Sequence, residues 1–182
     1  MNALRFILRD DTKAAHSRLD AALIKYDLTS AGGLHSYLSV HYLARLHLRD
    51  ILFGYDDLRD ESERLDDLQA DISELGAALP VWASRPKRAN MHALGLIYVM
   101  AGSSLGGKVL FKQWDCSRDP VVKNANRFVT RSKDSTVWTK FLTHLGAKSF
   151  SHQEIVQIVE SANHGFEVFE AANNEIKERI YV

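Results

Sequence analysis

Apolar residues recur along this chain at intervals of three and four, and almost nowhere in strict alternation, which is the pattern of helices that bury one face. A first helix is expected from about Ala3 to Tyr26, with Leu4, Leu8, Thr12, Ala15, Leu19 and Leu23 along one side. A second follows Gly32 and Gly33 and carries Tyr37, Val40, Leu43, Leu46, Leu48 and Ile51. A third, acidic and solvated, spans roughly Glu61 to Leu79 and stops at Pro80. Beyond Pro86 a strongly apolar helix runs from about Arg88 to Trp114, interrupted by Gly102, Gly106 and Gly107. Further helices are expected after Pro120, over about Ser135 to Leu145, and from Ser151 to about Arg179, the last opened by the capping-box residues Ser151 and Glu154. The fold class is therefore all-α: a multi-helix bundle in one domain spanning 1–182, without repeats or linkers.

Composition narrows the function. With 46% hydrophobic residues, the 182-residue chain can fill one core. Lys plus Arg and Asp plus Glu number 23 each, so no net field advertises nucleic acid or an anionic membrane. One cysteine, Cys116, excludes an intramolecular disulfide and a cysteine-based zinc site. No secretion signal opens the chain, and its longest apolar stretch, around Ala93 to Ala101, falls short of a bilayer span. A cytoplasmic protein without a membrane partner is expected.

Two segments carry candidate chemistry. On the first helix, His16 borders the apolar face, Asp20 lies one turn later, and Arg9 lies two turns earlier on nearly the same side. A carboxylate at that spacing can fix an imidazole's tautomer for metal binding, and a nearby cation can meet an anionic ligand. A half-buried histidine with an ordinary i,i+4 partner fits the same spacing. The second segment is Gly95 to Lys108. Glycine in a helix costs about 1 kcal/mol relative to alanine, so the cluster needs a reason. Gly95, Gly102 and Gly106 fall on one face, where a flat ligand could approach bare backbone; close helix packing is the alternative. A phosphate loop is disfavoured, since neither a preceding strand nor a Gly-Lys-Ser/Thr ending is present.

Together, Leu8 to Asp20 and Tyr98 to Gly107 resemble the N-terminal and distal helices of haem oxygenases, particularly the bacterial, phytochrome-associated type. The C-terminal helix, with Ala162, Asn163 and Phe166 to Phe169, is similar to the one that closes the family's pocket. The resemblance implies haem held as cofactor and substrate between those two helices. His16 matches the iron ligand, Asp20 the carboxylate that orients it, and Arg9 a propionate contact. Gly102 and Gly106 match the distal glycines, and Tyr98 and Phe166 fall at haem-facing positions. Two departures stand out: Ala101 replaces a glutamate, and Ser103 stands where other members carry a distal acid. Ser103 therefore either holds water for proton delivery or merely fills helix space.

The implied reaction consumes haem, O2 and electrons, and yields biliverdin, carbon monoxide and ferrous iron. Ferredoxin or another reductase would supply the electrons, and a bacteriophytochrome or bilin reductase would accept the product. Arg127, Arg131, Lys133 and Lys140 are further candidates for the propionates. A haem- or bilin-binding relative without ring-opening activity is the alternative, motivated by the missing acid. A thiamine-degrading or di-iron enzyme lacks its ligands here. His35, His41 and His47 recur every six residues and scatter around their helix, so they are not expected to form a metal face. The acidic stretch Asp56 to Asp71 reads as a solvated surface, and Trp82, Trp114 and Trp138 as core or rim aromatics.

Overall fold

A computed structural model describes residues 3–52, 59–87 and 91–180, and among them every regular element is helical. In chain order these are α1 (Ala3–Asp11), α2 (Lys13–Leu23), α3 (Ala31–Ile51), α4 (Arg59–Glu74), α5 (Ala93–Gly102), α6 (Gly107–Asp115), α7 (Pro120–Asn124), α8 (Arg127–Arg131), α9 (Thr136–Gly146) and α10 (His152–Ile180), with a 3-10 turn, Ser103–Gly106, between α5 and α6.

The single N-terminal helix expected from periodicity is bent into two. Thr12 is buried, and both its N–H (3.0 Å) and its hydroxyl (2.6 Å) donate to the carbonyl of Leu8. Such back-bonding by threonine opens a helix locally, and Thr12, at φ −103°, ψ 0°, sits at the edge of the helical region. Helix α2 ends at Leu23 rather than Tyr26, whose hydroxyl turns inward to Asn173 Oδ1 at 2.9 Å. Helix α3 starts before the glycine pair, because Ser30 caps it by accepting from Gly33 N–H at 3.2 Å. Helix α4 stops well before Pro80: Gly76 takes φ +71° and Ala77 N–H reaches back to Ile72 O at 3.2 Å, a glycine C-cap. The capping box of α10 forms, with Glu154 Oε2 accepting from Ser151 N–H at 2.7 Å and Ser151 Oγ accepting from Glu154 N–H at 3.3 Å. Arg88, the expected start of the apolar helix, lies outside the described residues, as does Asp56.

The core is centred on α10, which packs chiefly against α5 and α3. Leu34, Leu38 and Leu43 of α3, Leu96 of α5, and Ile158, Ala162 and Phe169 of α10 are sealed from solvent. Helices α5 and α10 approach closely because each presents a glycine. A Cβ on Gly95 would lie 2.2 Å from Ile158 O, and one on Gly165 would lie 3.1 Å from Val99 Cγ2. His92 begins α5; its Nδ1 accepts from Leu94 N–H at 3.2 Å, and its own N–H donates to Ser161 Oγ at 2.8 Å. Taken across its turn, Ala93–Asp115 spans 23 residues and contains an 18-residue window with a mean hydropathy of 1.5, longer than the apolar stretch expected from sequence. Much of that apolarity is core, since Ala93, Leu94, Leu96, Val99, Met100 and Ala101 are buried.

The acidic α4 is less solvated than its composition suggests. Asp71 is fully buried and accepts from Phe128 N–H (2.9 Å), Arg127 N–H (3.2 Å) and Arg127 Nη1 (3.2 Å), so it caps α8. Burial pushes its pKa up, although those three donors pull it down.

Candidate active site

A cavity of about 780 Å³ opens where α1, α2, α3, the α5–turn–α6 segment and α10 meet. That is the size of a small-molecule site. The positions singled out from sequence, Arg9, His16, Asp20, Tyr98, Gly102, Ser103, Gly106 and Phe166, all line it.

On the α2 wall, His16 Nε2 lies 3.5 Å from Asp20 Oδ2, and the ring meets Phe166 edge-on at 5.6 Å. The i,i+4 spacing on one turn brings imidazole and carboxylate together. Asp20 thus stands beside one ring nitrogen, Nε2, and leaves the other, Nδ1. The side chain is 57% exposed, so it projects into the opening. Arg9 lines the same wall, with Nη2 2.8 Å from Asp10 Oδ1 and the guanidinium 5.4 Å from the Phe6 ring centre. Arg5 and Lys13 line it too. This run of cations every four residues was overlooked in the sequence, although its spacing made it legible.

On the α5 side, the glycines divide between the two readings their spacing left open. A Cβ on Gly106 would meet nothing within 4 Å, and one on Gly102 only Trp138 Cζ3 at 3.7 Å. Both face the cavity. Gly95 does not share that role, since it is pressed on α10, and Gly107 would place a Cβ 1.7 Å from Ser132 O. Tyr98 sits among aromatic rings, 5.7 Å from Trp138 and 6.1 Å from Phe141. Ser103 Oγ donates to Met100 O at 2.8 Å and accepts from Arg45 Nη2 at 2.6 Å. Arg45 is fully buried and was not singled out from sequence.

Two further residues of the lining, Tyr37 and His41, come from α3. Spacing by six argued against His41 as part of a metal face; spacing by four from Tyr37 and Arg45 places it on a polar stripe. Burial drives the His41 pKa well down, and the charges of Arg45 and Arg64 push it further. Burial raises that of Tyr37, with Arg45 opposing and Asp20 adding to the rise.

The haem oxygenase family model matches residues 48–175, well over half of the chain. The chain belongs to the haem oxygenase family. It is an enzyme of haem degradation, with haem as both substrate and prosthetic group. A solved structure, the NO- and CO-bound haem oxygenase from Neisseria meningitidis, is 19% identical with a TM-score of 0.76, covering 97% of this chain and 92% of that one. At that identity the likeness speaks to the fold. No curated protein matches the chain.

The residues present fit haem. A flat macrocycle needs a surface without side chains, and Gly102 and Gly106 supply one where a Cβ would project into open space. An iron needs an imidazole with one nitrogen held and one left, which His16 and Asp20 provide. Propionates need cations, and Arg5, Arg9 and Lys13 stand on the cavity wall. Arg127, Arg131, Lys133 and Lys140, expected to share that work, do not line the cavity. Arg127 pairs with Asp71 at 3.2 Å, Arg131 with Glu63 at 2.9 Å and with Asp67, and Lys133 lies 3.6 Å over the Phe111 ring. The physical reason is that α8 docks on the acidic face of α4, which neutralises its arginines.

Proposed function

We propose that His16 is the iron ligand and that this one-domain cytoplasmic enzyme converts haem, with O2 and electrons from ferredoxin or another reductase, to biliverdin, carbon monoxide and ferrous iron. One observation carries the reading: a carboxylate-paired histidine on one wall of a cavity of about 780 Å³ that also exposes Gly102 and Gly106. Bound haem supplies the iron at which oxygen is reduced and the porphyrin edge that is opened.

The protein's own share is placement and electrostatics. The Asp20 carboxylate, 3.5 Å from Nε2, favours the tautomer protonated there, which keeps the other nitrogen unprotonated and orients the ring. A neutral histidine in that place would donate less electron density to the iron than a thiolate. Arg5, Arg9 and Lys13 hold the carboxylates of the substrate and so fix which edge faces Gly102 and Gly106. Phe166, edge-on to His16, closes the apolar side and limits water there.

The test is a hemin titration of the full chain, followed by reduction under air with ferredoxin and its reductase. A saturable Soret band at one haem per chain, then its loss with appearance of a bilin and carbon monoxide, is expected. His16→Ala should abolish the histidine-ligated spectrum even where apolar contacts retain haem. A wild-type Soret band that persists unchanged under competent reduction refutes the reaction; an unchanged ligand signature in His16→Ala removes His16 from the iron.

A further inference from the structure

The bare backbone strip of Gly102 and Gly106 is bounded unequally. A Cβ on Gly106 would meet nothing within 4 Å, whereas one on Gly102 would meet a single side chain, Trp138, whose Cζ3 lies at 3.7 Å. Trp138 comes from α9, which packs on α5 and on the turn that follows it, and the residue lines the cavity. Cζ3 belongs to the six-membered ring of the indole, so the outer part of the side chain stands beside the strip. The ring is braced by two others, Tyr98 at 5.7 Å and Phe141 at 5.4 Å, and Phe141 is buried. Centroid separations of that size belong to packed aromatic pairs, and a tryptophan side chain has few rotatable bonds through which to yield. The indole is a stiff edge next to an otherwise open surface.

The other restraints on a bound macrocycle are looser. Arg5, Arg9 and Lys13 draw its carboxylates to one part of the wall. The Arg9 side chain is 66% exposed, and long exposed cations swing through an arc at little cost. A single ligand from His16 fixes the centre of the macrocycle but not the angle about it. On the Gly106 side, Leu105 and Val109 line the cavity but are 54% and 67% exposed, so they have room to give way. The edges without carboxylates are hydrocarbon, and only shape sorts one hydrocarbon edge from another.

We propose that Trp138 is a specificity-determining residue: its braced indole stops the in-plane rotation of the macrocycle beside Gly102 and so selects the edge that is opened. This inference rests on the haem reading of the site. The cations choose the part of the cavity in which the carboxylates lie, and the indole chooses the angle within the arc that the cations allow. Rotation toward Gly102 drives the rim of the macrocycle into a ring that cannot move aside, and contact inside van der Waals distance rises steeply in energy. Without the indole, several angles come close in energy, and the ring opens at more than one edge.

The test compares full-length wild type, Trp138→Ala and Trp138→Phe, each loaded with hemin. Proton NMR of the cyanide-bound ferric complex reads the angle of the macrocycle from its methyl shifts, without turnover, and chromatography of the bilin reads the edge opened. Trp138→Ala should keep the His16-ligated Soret band and change the methyl shifts. It should also raise the minor bilin isomers roughly tenfold relative to the major one, the ratio that one lost ring contact supports. A wild-type isomer ratio in Trp138→Ala overturns the proposal. So does a changed ratio with the methyl shifts unmoved, since the angle is then not what changed. Where alanine prevents folding, Trp138→Phe decides by the same two readings: it keeps a ring against Tyr98 and Phe141 but withdraws the outer edge beside Gly102. An active, hemin-loaded variant with wild-type seating sinks this inference alone. Failure of the wild type to bind hemin marks failure of the haem reading, and this inference falls with it.

Discussion

Gly95 and Gly102 sit on one helix and would be expected to respond alike to alanine if glycine merely weakened α5. Their surroundings predict opposite outcomes. At Gly95 the new methyl would lie 2.2 Å from Ile158 O and 2.7 Å from Ala162 N, both main-chain atoms of α10 that cannot swing aside. Overpacking of this kind costs about 1–3 kcal/mol, and contact with rigid backbone puts Gly95→Ala at the upper end. The gain of about 1 kcal/mol in helix propensity leaves a net loss of about 2 kcal/mol. At Gly102 the methyl would meet only Trp138 Cζ3 at 3.7 Å, an ordinary contact, so the propensity gain of about 0.5–1 kcal/mol survives. For a chain of this length, Gly95→Ala should lose about 4–8 °C in Tm, and Gly102→Ala should gain about 1–4 °C.

Haem affinity should reverse that ranking. A methyl at Gly102 stands where the macrocycle must lie, and a misfit of about 1–3 kcal/mol weakens hemin binding roughly 5- to 150-fold. Gly95→Ala, once folded, should bind within about threefold of wild type, because its damage lies at the α5–α10 contact and is paid outside the cavity. The assay is calorimetric melting of the haem-free variants beside hemin titration by absorbance. Equal destabilisation by both substitutions, or a Gly102→Ala titration superimposable on wild type, would refute the division of the glycines into packing and ligand-facing positions.

Three other outcomes follow from the same physical arguments. Asp71→Ala should destabilise the fold by roughly 2–4 kcal/mol in urea unfolding, because Phe128 N–H and Arg127 N–H lose their acceptor in a buried place. Replacing Arg5, Arg9 and Lys13 together by glutamine should weaken hemin binding and flatten its salt dependence, while Arg127→Gln leaves the salt dependence unchanged. Stability should fall as pH drops below about 6.5. Burial lowers the pKa of His41, His35 and His92, so between their folded values and the unfolded value the unfolded chain binds more protons. For His92 the proton also destroys the Nδ1 cap of α5, so His92→Asn should lessen that sensitivity in pH-dependent melts.

The helices were legible in the sequence because periodicity reports which face is buried, and that information is local. Boundaries were less so wherever a side chain competed with the backbone. Thr12 reads as one more residue on an apolar face, and only its second bond to Leu8 O reveals the bend between α1 and α2. Gly76 has no signal in a hydrophobic pattern, yet its φ of +71° ends α4 ahead of the proline that seemed to do so. The acidic surface of α4 looked solvated because composition cannot say what docks on it. The basic α8 does, and that also removed Arg127 and Arg131 from the cavity.

The site divides along the same line. Arg9, His16 and Asp20 share one helical face, so their meeting was set by spacing within the first two helices, and the cavity indeed brings them to one wall. The histidine's partner is local; the wall it faces is not. Tyr37, His41 and Arg45 enter from α3, whose relation to the glycine turn depends on the packing of α10 between distant parts of the chain. The six-residue interval of His35, His41 and His47 scatters those side chains around α3 and carries no information about the cavity. A period of four, with polar residues of different kinds on an otherwise apolar helix, is the informative one: Arg45 is wholly buried, and such a charge has to have a reason to be inside. Here it holds the hydroxyl of Ser103. The serine of the glycine turn is thus matched by a buried cation on another helix, and the two are intelligible only together.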